Sequence, residues 1–237
     1  MKDNIIPQGK WSFDENVSNC FEDMLSRSIP QYEVMRESSA NLVYDIINSC
    51  GTKNDFNILD IGCSDGLMIE KLLDKFNGKG RYTGIDISEP MLEKARCRFE
   101  DNNNVSIYNH DLRTSFPNSY YDAITSILSI QFTPIEYRQH IIQEIYDHLR
   151  VDGCFIMVEK VLGNTDKINR LFVDNYYDMK KQNGYTEEQI ERKRLSLEGV
   201  LVPVTSDWNI DLLKQAGFRQ VDVFWKWMNF VGYIAIK

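Results

Sequence analysis

Apolar positions follow two alternating rhythms through the middle of the chain. Short, mostly apolar runs predict strands at Asn57–Ile61, Arg81–Asp86, Val105–Asn109, Tyr121–Leu128 and Cys154–Glu159. Between them, Leu67–Phe76, Pro90–Phe99 and Pro134–Leu149 read as helices. The last is periodic, with Ile135, Ile142, Ile145 and Leu149 on one broad face. Pro90 and Pro134 suit first helical turns, with Ser88 and Thr133 as nearby capping candidates. Alternating β and α units imply an α/β fold with a doubly wound, mainly parallel sheet. The end of the chain departs from this rhythm. Val221–Lys226 and Phe230–Ile236 are strand-like runs only a few residues apart, too close for a parallel crossover. They predict a C-terminal antiparallel hairpin and a total of seven strands.

Two segments lie outside the repeat: an N-terminal arm, residues 1–50, and a helical insertion, about 165–200, rich in Asp, Glu, Lys and Tyr. Additions at the carboxyl ends of strands are where substrate sites form on such sheets. The expected organisation is one domain, 1–237, carrying both additions. Phe224, Trp225, Trp227, Phe230 and Tyr233 gather in the final hairpin, where sheet-face packing explains them better than base stacking.

Composition narrows the partners. Hydrophobic content of 43% is that of a folded chain and not of a disordered one. No apolar run reaches the roughly 18 residues that span a membrane. The N-terminus has no apolar signal core, so the expected setting is the cytoplasm. A net charge of −8 disfavours direct nucleic-acid binding and fits a small-molecule substrate. The densest basic run, Arg192–Arg194, is short and follows acidic residues. Cysteines at 20, 50, 63, 97 and 154 show no CxxC spacing and read as reduced, mostly buried thiols. His110, His140 and His148 form no metal motif, and no metal is expected.

The candidate chemistry begins at "DIGCSDG". Gly62 permits a tight turn, and Gly66 permits close packing of the following helix. Ser64 stands where a dinucleotide fingerprint has its middle glycine, and Asp65 stands in the turn itself. A pyrophosphate there would face a carboxylate. S-adenosylmethionine (SAM) has no phosphate and carries an ammonium and a sulfonium, so it tolerates acidic neighbours. Asp86, 20 residues after Gly66, ends the second strand where an acidic side chain accepts from ribose hydroxyls. Asp111 ends the third strand and is placed to accept from the adenine amine, with Leu112 covering the ring. The three marks, in order and at strand ends, make a SAM-site signal.

From about residue 55 onward this pattern resembles the class I SAM-dependent methyltransferases, whose seven-stranded sheet also ends in a hairpin. Outer segments narrow the resemblance. Phe13–Tyr32, Asn183–Leu201 and Leu212–Phe230 are similar to the carboxy-S-adenosylmethionine synthase family, and with the core motifs the likeness covers nearly the whole chain after residue 12. That resemblance implies an enzyme that joins SAM to a carboxylate derived from prephenate. The SAM methyl loses a proton and attacks released carbon dioxide, and the product, carboxy-SAM, feeds modification of the wobble uridine in transfer RNA. It implies that Tyr32 packs over the cofactor, that Gly62, Cys63 and Ser64 form the turn, and that Asp86 with Ile87 holds the ribose. Asp111 and Leu112 would hold the adenine, and Arg194 would grip the new carboxylate from the same or a neighbouring subunit. No side-chain general base stands out.

A guanidinium clamps a carboxylate with two parallel hydrogen bonds, which supports Arg194. The charge pattern alone also allows a solvated basic face balancing Glu187, Glu188 and Glu191. One position departs from the family: Ile127 stands where the family carries a cofactor-contacting asparagine, and Ser126 or Ser129 would have to supply a replacement hydroxyl. A SAM-dependent methyltransferase acting on a small molecule or RNA is therefore the alternative. A non-catalytic SAM-binding protein is a third reading, against which the complete cofactor strip argues. Phe13, Phe21, Tyr176 and Tyr177 read as exposed aromatics needing cover, and with the family resemblance they imply a homodimer.

Overall fold

The computed structural model of the chain describes residues 1–49 and 55–237, so Cys50 lies outside the described residues. The strands are β1 (Asn57–Ile61), β2 (Arg81–Asp86), β3 (Val105–Asn109), β4 (Tyr121–Ile127), β5 (Leu149–Leu162), β6 (Val204–Thr205), β7 (Gln220–Trp227) and β8 (Phe230–Ile236). They form one sheet in the order β3-β2-β1-β4-β5-β8-β7, with β6 off this path and paired to β5. Neighbours from β3 through to β5 are parallel, while β8 runs antiparallel to both β5 and β7. The doubly wound sheet and its C-terminal hairpin are as expected. The strand beyond the seven expected is β6, which is two residues long and has no apolar run to announce it.

The helices are α1 (Glu15–Ser28), α2 (Tyr32–Ser49), α3 (Leu67–Lys75), α4 (Glu89–Arg98), α5 (Ile135–His148), α6 (Asp166–Gln182), α7 (Glu187–Leu197) and α8 (Ser206–Ala216). Successive strand residues point to opposite faces, so each central strand feeds two cores. Leu59, Phe155 and Met157 pack with Ile142 and Ile145 of α5 and Leu213 of α8. Ile58, Cys154 and Ile156 pack with Val43 of α2, Ile69 and Leu72 of α3 and Leu92 of α4. Three of the four described cysteines are buried; Cys97 is exposed. Phe230 and Tyr233 are buried in the hairpin, and so is Trp225, in keeping with packing.

Several local expectations need correction. Ile135 is 45% exposed, because the first turn of α5 lies at the strands' carboxyl ends, where the sheet runs out. Arg138 is the buried side chain of that turn, donating to the carbonyls of Thr133, Gln131 and Val202. Thr133 does not cap α5, since Pro134 holds that place. Ser88 does occupy the cap of α4, yet its hydroxyl donates to the Phe13 carbonyl at 2.6 Å and ties the arm to the sheet. β4 stops at Ile127 because Leu128 adopts φ 58°, which no strand residue holds. β5 extends well beyond Cys154–Glu159 at both ends. Finally, Phe21 and Tyr176 are buried within the chain, and Phe13 packs edge-on against Trp11, Phe21 and Phe132. Uncovered aromatics therefore give no ground for a dimer. Among the described residues no helix is long and apolar enough to cross a membrane.

Candidate active site

The end of β1 carries the chain into the glycine turn. Gly62 sits at φ +66°, and a Cβ there would fall 1.9 Å from Ser129 Oγ. Gly66 sits at φ +88° as the N-cap of α3, and a Cβ would fall 2.5 Å from Phe99 Cε2 at the end of α4, so the close approach that needs glycine is to α4 and not to the helix that follows the turn. The turn is tied to β2 at two points. The Cys63 N–H donates to the Ile85 carbonyl at 3.0 Å. The Asp86 carboxylate accepts from the backbone N–H of Ser64 at 3.0 Å and of Ser88 at 2.9 Å. Burial pushes the Asp86 carboxyl upward, and these two N–H groups oppose that.

Tyr32, Gly62, Cys63, Ser64, Asp86, Ile87, Asp111 and Leu112 line one cavity of about 310 Å³. The structure thus brings together every cofactor residue expected from the sequence. Tyr32 is buried, with the Arg36 guanidinium 5.0 Å above its ring. Ile87 is 63% exposed and forms part of the rim. Asp111 is held by Arg113, whose Nε donates to both carboxylate oxygens, and this pair keeps the Asp111 carboxyl below its usual value. Leu112 packs against the main core. Ser129, not Ser126, lines the cavity beside Ile127; Ser126 Oγ is buried and has no hydrogen-bond partner among the described residues.

Two further groups stand beside the turn: Asp65, read from the sequence as an acid within the turn, and Arg36, which no motif marks. Asp65 is buried; one of its oxygens lies 3.4 Å from Arg98, and Oδ1 has no partner among the described residues. Arg36 donates to the Leu67 carbonyl and to Glu33, while its buried Nε likewise has no partner. Both residues line the cavity. An unpaired carboxylate oxygen and an unpaired guanidinium N–H match the ammonium and carboxylate of an amino-acid tail. They fit the amino-acid tail of SAM at this turn. Asp60, just before the turn, accepts from Thr125 Oγ1 at 2.7 Å, and its complete burial pushes the carboxyl up to about 7.

The far wall comes from β5, α6 and α7, through Lys160, Tyr176, Lys180 and Lys193. The sequence marks Tyr176 as an exposed aromatic and Lys193 as part of the basic run, and places none of the four at a site. Lys193 is paired with Asp3, whose carboxylate also accepts from the Tyr185 hydroxyl. Arg194 is the one expected site residue that does not line the cavity. It lies on the outer side of α7, exposed, with Nε and Nη2 donating to Glu191 at 2.9 and 2.7 Å.

Comparison with known proteins bears on the family and the fold. A methyltransferase-domain family model matches residues 58–153. The carboxy-S-adenosyl-L-methionine synthase of Methylococcus capsulatus is 38% identical over 96% of this chain and 93% of its own length. That of Nautilia profundicola is 38% identical over 96% of this chain and 95% of its own. Among solved structures, the CurJ carbon methyltransferase superposes with a TM-score of 0.68 at 14% identity, covering 94% of this chain and 61% of that one; it bears on the fold alone. The fold is that of the class I methyltransferases, and by identity along nearly its whole length the chain belongs to the carboxy-S-adenosyl-L-methionine synthase family.

Proposed function

We propose that this SAM-utilising transferase carboxylates the methyl group of SAM, with prephenate as the carboxyl donor. What carries the reading is 38% identity to a carboxy-SAM synthase across 96% of the chain, which takes in the arm and α6–α7 as well as the common core. The reaction balances without another reagent. The ring carboxyl of prephenate replaces one hydrogen of the SAM methyl. That hydrogen and the ring hydroxyl leave as water, and the aromatised remainder is phenylpyruvate. The residues of this chain bind and orient. Asp86 would take the ribose hydroxyls, Asp111 and Leu112 the adenine, and Arg36 with Asp65 the amino-acid tail. Phe13, Phe21, Met24 and Phe132 present an apolar wall that keeps water from the reacting carbon.

The chain would act as a homodimer, in which Arg194 of one copy reaches the carboxylated product held by the other. Support comes from its position: an exposed guanidinium outside its own cavity has no route to the bound methyl within one chain. Carboxy-SAM would then serve a later enzyme that modifies a transfer-RNA uridine, a role that fits a cytoplasmic setting. A methyltransferase remains the second reading because Ile127 replaces the family's polar contact. Incubation of the protein with SAM and prephenate separates the two by mass spectrometry. Carboxy-SAM and phenylpyruvate are the expected products; S-adenosylhomocysteine with a methylated acceptor would favour the alternative.

A further inference from the structure

We propose that Lys160 and Lys180 form an anion subsite for a dicarboxylate second substrate. This deepens the function proposed above and rests on it. β5 alternates its faces here: Glu159 turns toward Arg138, while Val158 and Lys160 turn toward α6. Lys160 Nζ stands 4.7 Å from the centroid of the Tyr176 ring. Lys180 follows Tyr176 by one helical turn, and its Nζ lies 5.5 Å from the same ring and 5.1 Å from that of Tyr185. Two ammonium groups thus share one aromatic ring on a cavity wall.

Their neighbour Lys193 has a carboxylate, Asp3. Lys160 and Lys180 form no ion pair among the described residues, and Lys180 is only 6% exposed. Burial pushes the two ammonium groups down to about 8 and about 7. Cation–π contact offsets part of the cost of desolvating an ammonium. It does nothing for the repulsion between the two. Folding alone would be better served by Leu or Met at these places. The missing negative charge is therefore that of a ligand.

SAM is a poor candidate for that charge. It carries a sulfonium and an ammonium against one carboxylate, and Arg36 beside the turn already matches the carboxylate. β5 lies two strands from β1, roughly 10 Å at the usual strand spacing, so the lysines face a different part of the cavity. Two unpaired ammonium groups call for two carboxylates, which is the charge of prephenate.

The test uses the full chain loaded with S-adenosylhomocysteine, which has no methyl to react. Calorimetric titration with prephenate, and separately with succinate as a plain dicarboxylate, measures the subsite. SAM affinity and the KM for prephenate are measured alongside. Lys160→Met and Lys180→Met should each weaken dicarboxylate binding and raise the KM for prephenate at least tenfold, with SAM affinity changed less than twofold. Lys180→Arg should recover part of the binding, and thermal melts of each variant establish folding. Wild-type protein that binds dicarboxylates through these lysines but makes no carboxy-SAM would support the subsite and refute the proposed reaction. Carboxy-SAM formation insensitive to both Met variants would overturn the subsite, as would a parallel loss of SAM affinity or the absence of dicarboxylate binding by wild type.

Discussion

Replacing Gly62 by alanine puts a methyl group 1.9 Å from Ser129 Oγ and 2.5 Å from its Cβ, at a backbone φ of +66°. The left-handed conformation costs a non-glycine residue about 1–2 kcal/mol. Moving Ser129 away from the new methyl adds roughly 1–3 kcal/mol, as overpacking in a filled core does. Together these amount to about 2–5 kcal/mol, which for a chain of this size lowers Tm by roughly 5–20 °C. The two terms can be separated. Ser129→Gly removes both atoms that collide, so Gly62→Ala on that background should show only the conformational cost. A double-mutant cycle by urea unfolding should therefore give a favourable coupling of about 1–3 kcal/mol. SAM affinity should fall in the single variant, because the turn that aligns the Ser64 N–H with Asp86 has to shift. Strict additivity of the two substitutions would refute the packing argument, and unchanged SAM affinity would remove the turn from the site.

Asp86→Ala removes the acceptor for the ribose and frees two backbone N–H groups; at about 1.5–3 kcal/mol for a charge-assisted bond, SAM affinity should fall tenfold or more by calorimetry, and equal affinities in a folded variant would exclude Asp86. Burial, helped by Lys193 from α7 and Lys160 from β5, pushes the Lys180 ammonium down to about 7, while Asp3 from the N-terminal segment opposes them. The unfolded state therefore holds more protons than the folded one between about pH 7 and the usual lysine value, so wild-type stability gains across that window and carries the full penalty below it. Lys180→Met should be the more stable protein at pH 6.5, by on the order of 3–5 kcal/mol, and lose that advantage by pH 10; an advantage independent of pH would contradict the assignment. Arg194→Lys keeps the charge but loses the planar fork, so it should weaken retention of carboxy-SAM and leave SAM binding unchanged, with Arg194→Ala more severe. Sedimentation at micromolar concentration should show a dimer; a monomer would rule out Arg194 acting across subunits.

The parts of the fold legible in the sequence are those with a local cause. β1 and β4 are buried on both faces and carry enough apolar residues to read as strands, and the bounds expected for β1 and β8 match those observed. Gly62 and Gly66 announced a turn because only glycine meets its neighbours there without collision. α8 left weaker marks that went unused: Thr205 accepts from Trp208 N–H at its start, and Gly217 at φ +114° closes it. Of the unpartnered groups only Asp65 was legible, as an acid standing in the turn; that Arg36 would join it, or that Lys160 would meet Lys180, was not. Arg36 and Asp65 are 29 positions apart, and Lys160, Lys180 and Lys193 lie on three elements. No spacing rule links such residues, since their meeting depends on how α2, α6 and α7 close over the strand ends. Arg194 shows the converse case. Its motif singled it out, yet within one chain its guanidinium turns to Glu191.

The central claim is that the SAM methyl receives a carboxyl group and is not transferred. Incubating the protein with SAM trideuterated at the methyl, and with prephenate carrying carbon-13 in its ring carboxyl, tests this in one mass spectrum. The account predicts an adenosyl product that contains the labelled carboxyl and keeps two of the three deuterons. Formation of S-adenosylhomocysteine, with all three deuterons on another molecule and no labelled carboxyl in any adenosyl species, would contradict it.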